Sequence, residues 1–193
     1  MMIGDPSIIA IESNITQAYE HLSFRALGYF VIHAGGRRYG TCSPDSTMLA
    51  CSFDEVGRRI RDRGLHAASF ATTEGAGSIA DNFRNAFYAE EQKQTYFGLS
   101  LHQFSDLIVS KRLVWAPDGD EAFEDSSYVL QFDVQDQVRI IAFKSVGSYF
   151  HQPETLSDVW LSADVFLFCS SAMAQFVSGG VALLPKVPLS DYQ

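Results

Sequence analysis

Alternating apolar and polar residues mark the clearest strands of the chain between positions 128 and 143. One face of the first strand carries only large apolar side chains, those of Tyr128, Leu130, Phe132 and Val134. This period of two is typical of a half-buried strand. Gln135, Asp136 and Gln137 interrupt the pattern, and Val138 to Phe143 resumes it. The pattern predicts an antiparallel hairpin, and the inward face of its second strand stays open because both faces carry large apolar groups.

Other short apolar runs predict further strands. They lie at 7–12, 26–34, 37–41, 47–51, 112–115 and 158–161. The run at 26–34 is almost continuously apolar, as in the centre of a sheet, and Gly35-Gly36 permits the tight turn into 37–41. His33 lies within this run, where a hydrogen-bonded core residue is expected more often than a ligand.

Three patterns of period 3.6 predict helices, each with a capping signature at its start. Ser52 and Glu55 cap a helix from Phe53 to Arg63 that Gly64 ends; Ser78 and Asp81 cap a helix to about Glu91; Ser100 and Gln103 begin the third. The first helix holds a basic cluster made of Arg58, Arg59, Arg61 and Arg63. One interpretation of this cluster is a binding site for phosphate or an acidic partner. The favoured interpretation is that these cations stabilise the C-terminus of the helix.

The tail from Val165 to Leu184 contains no charged residue. Its length satisfies the criterion for a membrane span, but its serines and Gly179-Gly180 argue against one. We therefore predict a core helix from about Ser162 to Val177, a Gly-Gly turn and a short strand at Val181 to Leu184. With the other elements, the chain is predicted to be a single α+β domain over residues 1–193. It has a mostly antiparallel sheet and three to four helices.

The net charge of −9 narrows the classes of partner. Residues 1–96 carry a net charge of −2 and residues 97–193 a net charge of −7. A nucleic acid is disfavoured as a partner because binding phosphates requires a basic surface. A cationic protein is favoured instead.

The residues that usually carry chemistry form no recognisable motif. The three cysteines have no CxxC spacing, and the five histidines form neither an i, i+4 pair nor an HExxH motif. We therefore predict no metal, no cofactor and no catalytic residue, and a location in a reducing cytoplasm. The N-terminal residues have no basic segment and are not expected to form a secretory signal. A small cytoplasmic enzyme, such as a hydrolase with an unrecognised site, stays the alternative.

The strongest charge feature lies directly before the hairpin. It comprises the acidic residues Asp118, Asp120, Glu121, Glu124 and Asp125, interleaved with Trp115 and Phe123. A solvated loop, a calcium site and a partner-binding site are the alternatives. Aromatic anchors within a polar rim are typical of protein-binding hot spots, and all seven residues are therefore predicted to bind a partner.

Several segments resemble a known family. They are IGDPSIIAIES, RALGYFVIHAGGRRYG, MLACSFDEVGRRI and LVWAPDGDEAFEDSSYVLQFDVQDQVRIIAFK. Over residues 3–161 the chain resembles the immunity proteins of bacterial polymorphic toxin systems, and immunity protein family 42 in particular.

This resemblance implies a cytoplasmic antidote that binds a cognate toxin delivered by contact-dependent or type VI secretion. On this interpretation the acidic residues imitate the toxin's anionic substrate or pair with its basic groove, and the two aromatic residues anchor the contact. A homodimer stays an open alternative.

Overall fold

The computed structural model describes residues 1–19, 26–43, 47–119, 121–147, 150–183 and 186–187. The strands are β1 (Met2–Asp5), β2 (Ile9–Tyr19), β3 (Ala26–Ala34), β4 (Arg37–Tyr39), β5 (Thr47–Met48), β6 (Thr95–Tyr96), β7 (Leu99–Ser100), β8 (Val114–Ala116), β9 (Ser127–Val134), β10 (Gln137–Lys144), β11 (Ser157–Ser162) and β12 (Lys186–Val187). The helices are α1 (Ala50–Arg61), α2 (Ala76–Tyr88), α3 (Leu101–Ser110) and α4 (Ala163–Leu183). The prediction of an α+β fold is confirmed.

Two mainly antiparallel sheets organise the fold, and β6 and β7 form a third, two-stranded one. The first follows the order β1-β2-β3-β4, with β5 paired to β3 and β12 paired in parallel to β2. The second follows the order β11-β10-β9-β8. The predicted hairpin forms its centre, with Val134 opposite Gln137 at the turn.

The two sheets share one hydrophobic core. Ile11 and Ile32 of the first sheet belong to the same buried cluster as Val129 and Ile140 of the second. Burying such aliphatic side chains stabilises the fold by roughly 1.5–3 kcal/mol each. Helices α1 and α4 add Phe53, Phe166 and Met173 to this core.

A second core covers the opposite face of β9 and β10. It contains Leu130, Phe132, Ile141 and Phe143 from the hairpin, Ile79 and Phe83 from α2, and Phe104 and Ile108 from α3. Both faces of the hairpin are therefore buried, which explains why neither face of β10 looked polar in the sequence. The expectation that β9 is only half-buried is wrong, since Gln131 on its other face is 1% exposed.

Only one of the three predicted helix caps forms. Ser100 accepts a hydrogen bond from Gln103 N, and the Gln103 side chain accepts one from Ser100 N. Helix α1 instead starts at Ala50 and α2 at Ala76, so Ser52 and Ser78 lie inside the helices. Residues three or four apart lie on the same face of a helix. A Ser with an acid three residues later can therefore also occur inside a helix, where it does not mark the first residue.

The tail differs from its prediction in one respect. Helix α4 continues through Gly179-Gly180 to Leu183, and the short strand is Lys186–Val187 instead of Val181 to Leu184. Glycine disfavours a helix by only about 1 kcal/mol relative to alanine, an amount that packing overrides. Within the described residues, no helix has the length and apolar character needed to cross a membrane.

Candidate functional site

The predicted acidic site lies on residues 117–125, which connect β8 to β9 and are called the acidic loop below. A 3₁₀ turn at Glu121–Phe123 lies within it. The carbonyl of Ala122 accepts a hydrogen bond of 2.7 Å from the backbone N–H of Thr41. The acidic loop is thereby tied to the segment that follows β4.

The two aromatic residues of the predicted site belong to the core. Trp115 is 0% exposed and Phe123 is 4% exposed. The Trp115 ring lies edge-on to Phe166, with 5.6 Å between the ring centroids, and Phe123 lies 6.3 Å from Phe30. This corrects the expectation that both rings are surface anchors. Their positions beside acidic residues in the sequence did not reveal that the strand and the 3₁₀ turn point them inward.

Asp125 holds the end of the acidic loop in place. Its Oδ2 accepts hydrogen bonds from Lys144 Nζ at 2.7 Å and from the backbone N–H of Gly40 at 3.3 Å. Its Oδ1 accepts a hydrogen bond from Ser127 N at 3.2 Å. Gly40 has φ +110°, and a Cβ there would lie 3.0 Å from the Ala122 carbonyl oxygen. The negative charge of Asp125 is thus already paired with Lys144 of the same chain.

The other carboxylates of the acidic loop differ in exposure. Glu121 and Glu124 are exposed, and Asp118 is partly buried. Asp120 lies outside the described residues. The structure thus places two of the five acids, Glu121 and Glu124, openly on the surface.

A groove adjoins the acidic loop. Its volume is about 390 Å³, and its lining includes Trp115, Pro117 and Asp118. Two exposed aromatic residues of α2, Phe87 and Tyr88, line it as well. Within the described part of the chain, the indole N–H of Trp115 has no hydrogen-bond acceptor.

The basic cluster of α1 is divided between the surface and the interior. Arg59 is fully buried, lies 2.6 Å from Glu55, and donates to the carbonyls of Arg112 and Val114. Burial lowers the pKa of the guanidinium, an effect that the nearby Glu55 carboxylate opposes. Arg58 and Arg61 lie in the last turn of α1, as expected of cations at a helix C-terminus.

Two partly buried histidines pair with carboxylates of other segments, whereas the exposed His102 lies 3.2 Å from Asp106 within α3. His33 Nε2 lies 2.9 Å from Glu12, which also accepts a hydrogen bond from the Tyr29 hydroxyl at 3.0 Å. Burial, and next the Glu12 carboxylate, raise the pKa of Tyr29 to about 12. His151 Nδ1 lies 2.7 Å from Asp81 on α2. Each pair links two segments of the fold, which agrees with the structural role predicted for His33.

A second cavity lies at the turn of the β9–β10 hairpin and is called the hairpin cavity below. Its volume is about 310 Å³. Three segments line it: the residues that follow α1, the β9–β10 hairpin and the start of α4. The lining residues are Arg63, Gly64, Gln131, Asp133, Gln135, Asp136, Gln137, Val138, Ala163, Asp164, Phe166 and Leu167.

A network of hydrogen bonds forms the wall of the hairpin cavity. Gln131 Nε2 donates to Asp133 Oδ1 at 3.0 Å. Asp133 Oδ2 accepts from the backbone N–H of Gly64 at 2.6 Å and of His66 at 3.2 Å. Gln131 Oε1 is buried and receives no hydrogen bond from the described residues.

Within the described ranges, no three His, Cys, Asp or Glu residues come together as metal ligands.

The family model for immunity protein 42 matches residues 1–174. The chain belongs to this family of immunity proteins.

One solved structure resembles this immunity protein across most of its length. A crystal structure of CdiI from Burkholderia dolosa AUO158 superposes with a TM-score of 0.51 and 16% sequence identity, covering 91% of this chain and 99% of that one. At this identity the similarity concerns the fold. A comparison with curated proteins gives no match.

The residues of the hairpin cavity were not predicted as a functional site of this immunity protein. Gln131 and Asp133 looked like the solvent face of a half-buried strand, and Asp136 looked like an ordinary turn residue. A signal was nevertheless present, because Asp133, Asp136 and Asp164 are part of the acidic excess of the second half of the chain. Their proximity depends on where α4 packs, which the pattern of residues does not specify.

Proposed function

We propose that this immunity protein binds a basic cognate toxin through an acidic surface and blocks it, and that it catalyses no reaction. Membership of the immunity protein 42 family is the observation that carries this proposal. The net charge of −9 supports it, because a strongly acidic inhibitor complements a basic partner and repels nucleic acid.

The acidic surface is proposed to include the acidic loop. Glu121 and Glu124 are exposed there and can pair with cations of the toxin. Asp118 and Asp120 are proposed to contribute to the same surface, whereas Asp125 is held by Lys144. Phe87 and Tyr88, which are exposed in the adjoining groove, replace Trp115 and Phe123 as the proposed aromatic anchors.

Charge complementarity would chiefly accelerate the encounter of the two proteins. Electrostatic steering raises association rates to about 10⁸ M⁻¹s⁻¹ or more at low salt. An inhibitor interface of ordinary size buries about 1,600 Å² in total. Fast capture suits an antidote that must stop a toxin before it acts.

The proposed setting is the cytoplasm of a bacterium that receives the toxin by contact-dependent or type VI secretion. No membrane and no nucleic acid takes part in the proposed interaction. Association of two copies of the immunity protein is compatible with this mode of action and is read out by the same experiment.

The test is co-expression with the product of the neighbouring gene, followed by co-purification and measurement of the association rate. We expect a stable complex and loss of the toxin's activity. Failure of the two proteins to co-purify would contradict the proposed function. The mass of the complex in solution reports whether one or two copies of the immunity protein are present.

A matched pair of variants tests the acidic loop. The double substitution Glu121→Lys/Glu124→Lys should reduce the association rate at low salt by about tenfold or more and weaken its salt dependence. The control Asp5→Lys/Glu154→Lys makes the same change of charge at two exposed positions outside the acidic loop and its groove. Equal rates for the two variants would exclude the acidic loop as the binding surface.

A further inference from the structure

We propose that the hairpin cavity is a socket for an arginine side chain of the partner protein. This inference rests on the proposed function and specifies part of the recognition surface, because it names the chemical group that the immunity protein would capture. Four observations support it: an unsatisfied buried acceptor, an excess of carboxylates, an apolar wall and a suitable volume.

The unsatisfied acceptor is the Oε1 atom of Gln131. This residue is 1% exposed, lines the cavity, and receives no hydrogen bond at Oε1 within the described residues. Rotating the amide would bring its oxygen against Asp133 Oδ1, which now accepts from the Gln131 NH₂ group at 3.0 Å. Because two acceptors facing each other repel, the oxygen keeps its position. A buried acceptor without a donor is unfavourable, and an occupant that donates hydrogen bonds would satisfy it.

The charges at the cavity favour a cationic occupant. Three carboxylates, those of Asp133, Asp136 and Asp164, line it together with one guanidinium, that of Arg63. Asp136 and Asp164 are exposed and form no salt bridge among the described residues. The start of α4 carries partial positive charge, but Asp164 in the first turn offsets it. An anion would therefore meet repulsion here, whereas a cation would find two carboxylates that form no salt bridge with the described residues.

The shape and the apolar wall favour a long side chain over a bare ion. Val138, Phe166 and Leu167 line the cavity beside the polar groups. The aliphatic stems of arginine and lysine pack along apolar surface while their charged ends remain with polar groups. A volume of about 310 Å³ accommodates such a side chain. The fork of an arginine can donate to several acceptors at once, which suits a carboxylate and an amide oxygen better than the point charge of lysine.

The first test uses a small probe and the intact protein. ¹⁵N-labelled protein is titrated with N-acetyl-arginine amide, and with N-acetyl-citrulline amide as a neutral control of nearly the same shape. We expect the arginine probe to shift the side-chain amide signal of Gln131 and the backbone signals of Gly64 and Gln137, and the citrulline probe to leave them unchanged. Absence of these shifts, or equal shifts with citrulline, would overturn the proposal.

Two double variants with the same change of charge test the role of the rim. Asp136→Asn/Asp164→Asn should weaken binding of the arginine probe by about tenfold, equivalent to about 1.4 kcal/mol. Glu90→Gln/Glu91→Gln alters two exposed acids far along the chain and should leave the affinity unchanged. The spectra of both variants verify that the fold is retained. Equal losses of affinity in the two variants would show that the probe responds to the net charge of the protein. That result would overturn the proposal that the hairpin cavity binds an arginine side chain.

The toxin itself separates this inference from the proposed function. Asp136→Asn/Asp164→Asn should lower the affinity for the product of the neighbouring gene by about tenfold, relative to the control Asp5→Asn/Glu154→Gln, whose two exposed acids line neither the groove nor the cavity. If the toxin binds both variants equally tightly, the socket is not part of the interface although the proposed function stands. If the arginine probe binds but the toxin does not bind the natural protein, the proposed function fails and the cavity remains a guanidinium site.

Discussion

The acidic loop and the hairpin cavity both concentrate carboxylates, but the protein uses them differently. In the acidic loop, Asp125 is neutralised by Lys144 and also bonds to the backbone of Gly40 and Ser127. At the hairpin cavity, Asp136 and Asp164 are exposed and form no salt bridge among the described residues. The acidic loop has the higher density of acidic residues in the sequence. It thus offers a partner protein fewer unpaired carboxylates than its number of acidic residues suggests.

The density of acidic residues along a chain therefore differs from the charge that is available to a partner. A carboxylate that accepts several hydrogen bonds from its own fold cannot pair with a partner without losing them. Residues that follow one another in a loop can face opposite ways, whereas residues distant in sequence can share one rim. Asp136 and Asp164 are an example of the second case, since Ala163 N donates to the Asp136 carbonyl at 2.8 Å.

The largest expected effect concerns Trp115, the aromatic residue of β8 that precedes the acidic loop. Trp115→Ala should lower the free energy of unfolding by about 3–5 kcal/mol, because it removes a large ring from the core and leaves a cavity. Urea unfolding measures this loss. Phe168→Ala is the control, since Phe168 is 70% exposed and its removal should change stability by less than about 0.5 kcal/mol. A small loss of stability for Trp115→Ala would contradict the burial of its ring and would make Trp115 a candidate surface anchor again.

A smaller effect separates the carboxylates of the two regions. Asp125→Ala should destabilise the fold by about 1–2 kcal/mol, because Lys144 and two backbone N–H groups lose their acceptor while solvent partly screens the pair. Asp136→Ala should change stability by less than about 0.5 kcal/mol. Both values are measured by chemical unfolding at neutral pH. Equal losses for the two variants would remove the distinction between a structural and an available carboxylate.

The arrangement of strands was largely predictable from the sequence because it depends on local periodicity. The strand at Ala26–Ala34, the hairpin of β9 and β10 and the capped helix α3 all follow from short-range patterns. The Gly35-Gly36 turn also formed where two glycines permit positive φ, with φ +57° and +77°. Elements whose neighbours in sequence are also their neighbours in space are thus well encoded.

The candidate site was harder to predict because it depends on contacts between distant segments. Arg59 looked like one of four surface cations, yet it is buried beside Glu55 and bonds to the carbonyl of Arg112, 53 residues later. Gln131 looked solvent-facing because its strand alternates, but the first sheet and α4 help to cover that face. Periodicity identifies which residues share a face of a strand. It does not show whether another layer covers that face.

The smallest expected effect links pH to the wall of the hairpin cavity through His66. This residue donates its backbone N–H to Asp133, and its ring Nδ1 lies 2.9 Å from the Lys111 carbonyl. Burial, and next the positive charge of Arg59, lower the pKa of the ring below its usual value of 6.5. The hydrogen bond to the Lys111 carbonyl opposes this change, as do the carboxylates of Asp133 and Asp62. The folded protein therefore binds a proton at His66 less readily than the unfolded chain does.

The direction of the pH dependence follows from this difference. Between the lowered pKa of the folded state and 6.5, the unfolded chain binds more protons, so stability should fall as the pH decreases through that window. His66→Gln should reduce this slope when unfolding free energies are compared at several pH values, and titration of the ring by NMR should give a pKa below 6.5. A shift of the Gln131 side-chain signal over the same pH range would show that the cavity wall responds to His66. An unchanged slope in His66→Gln would place the pH dependence at another titratable group.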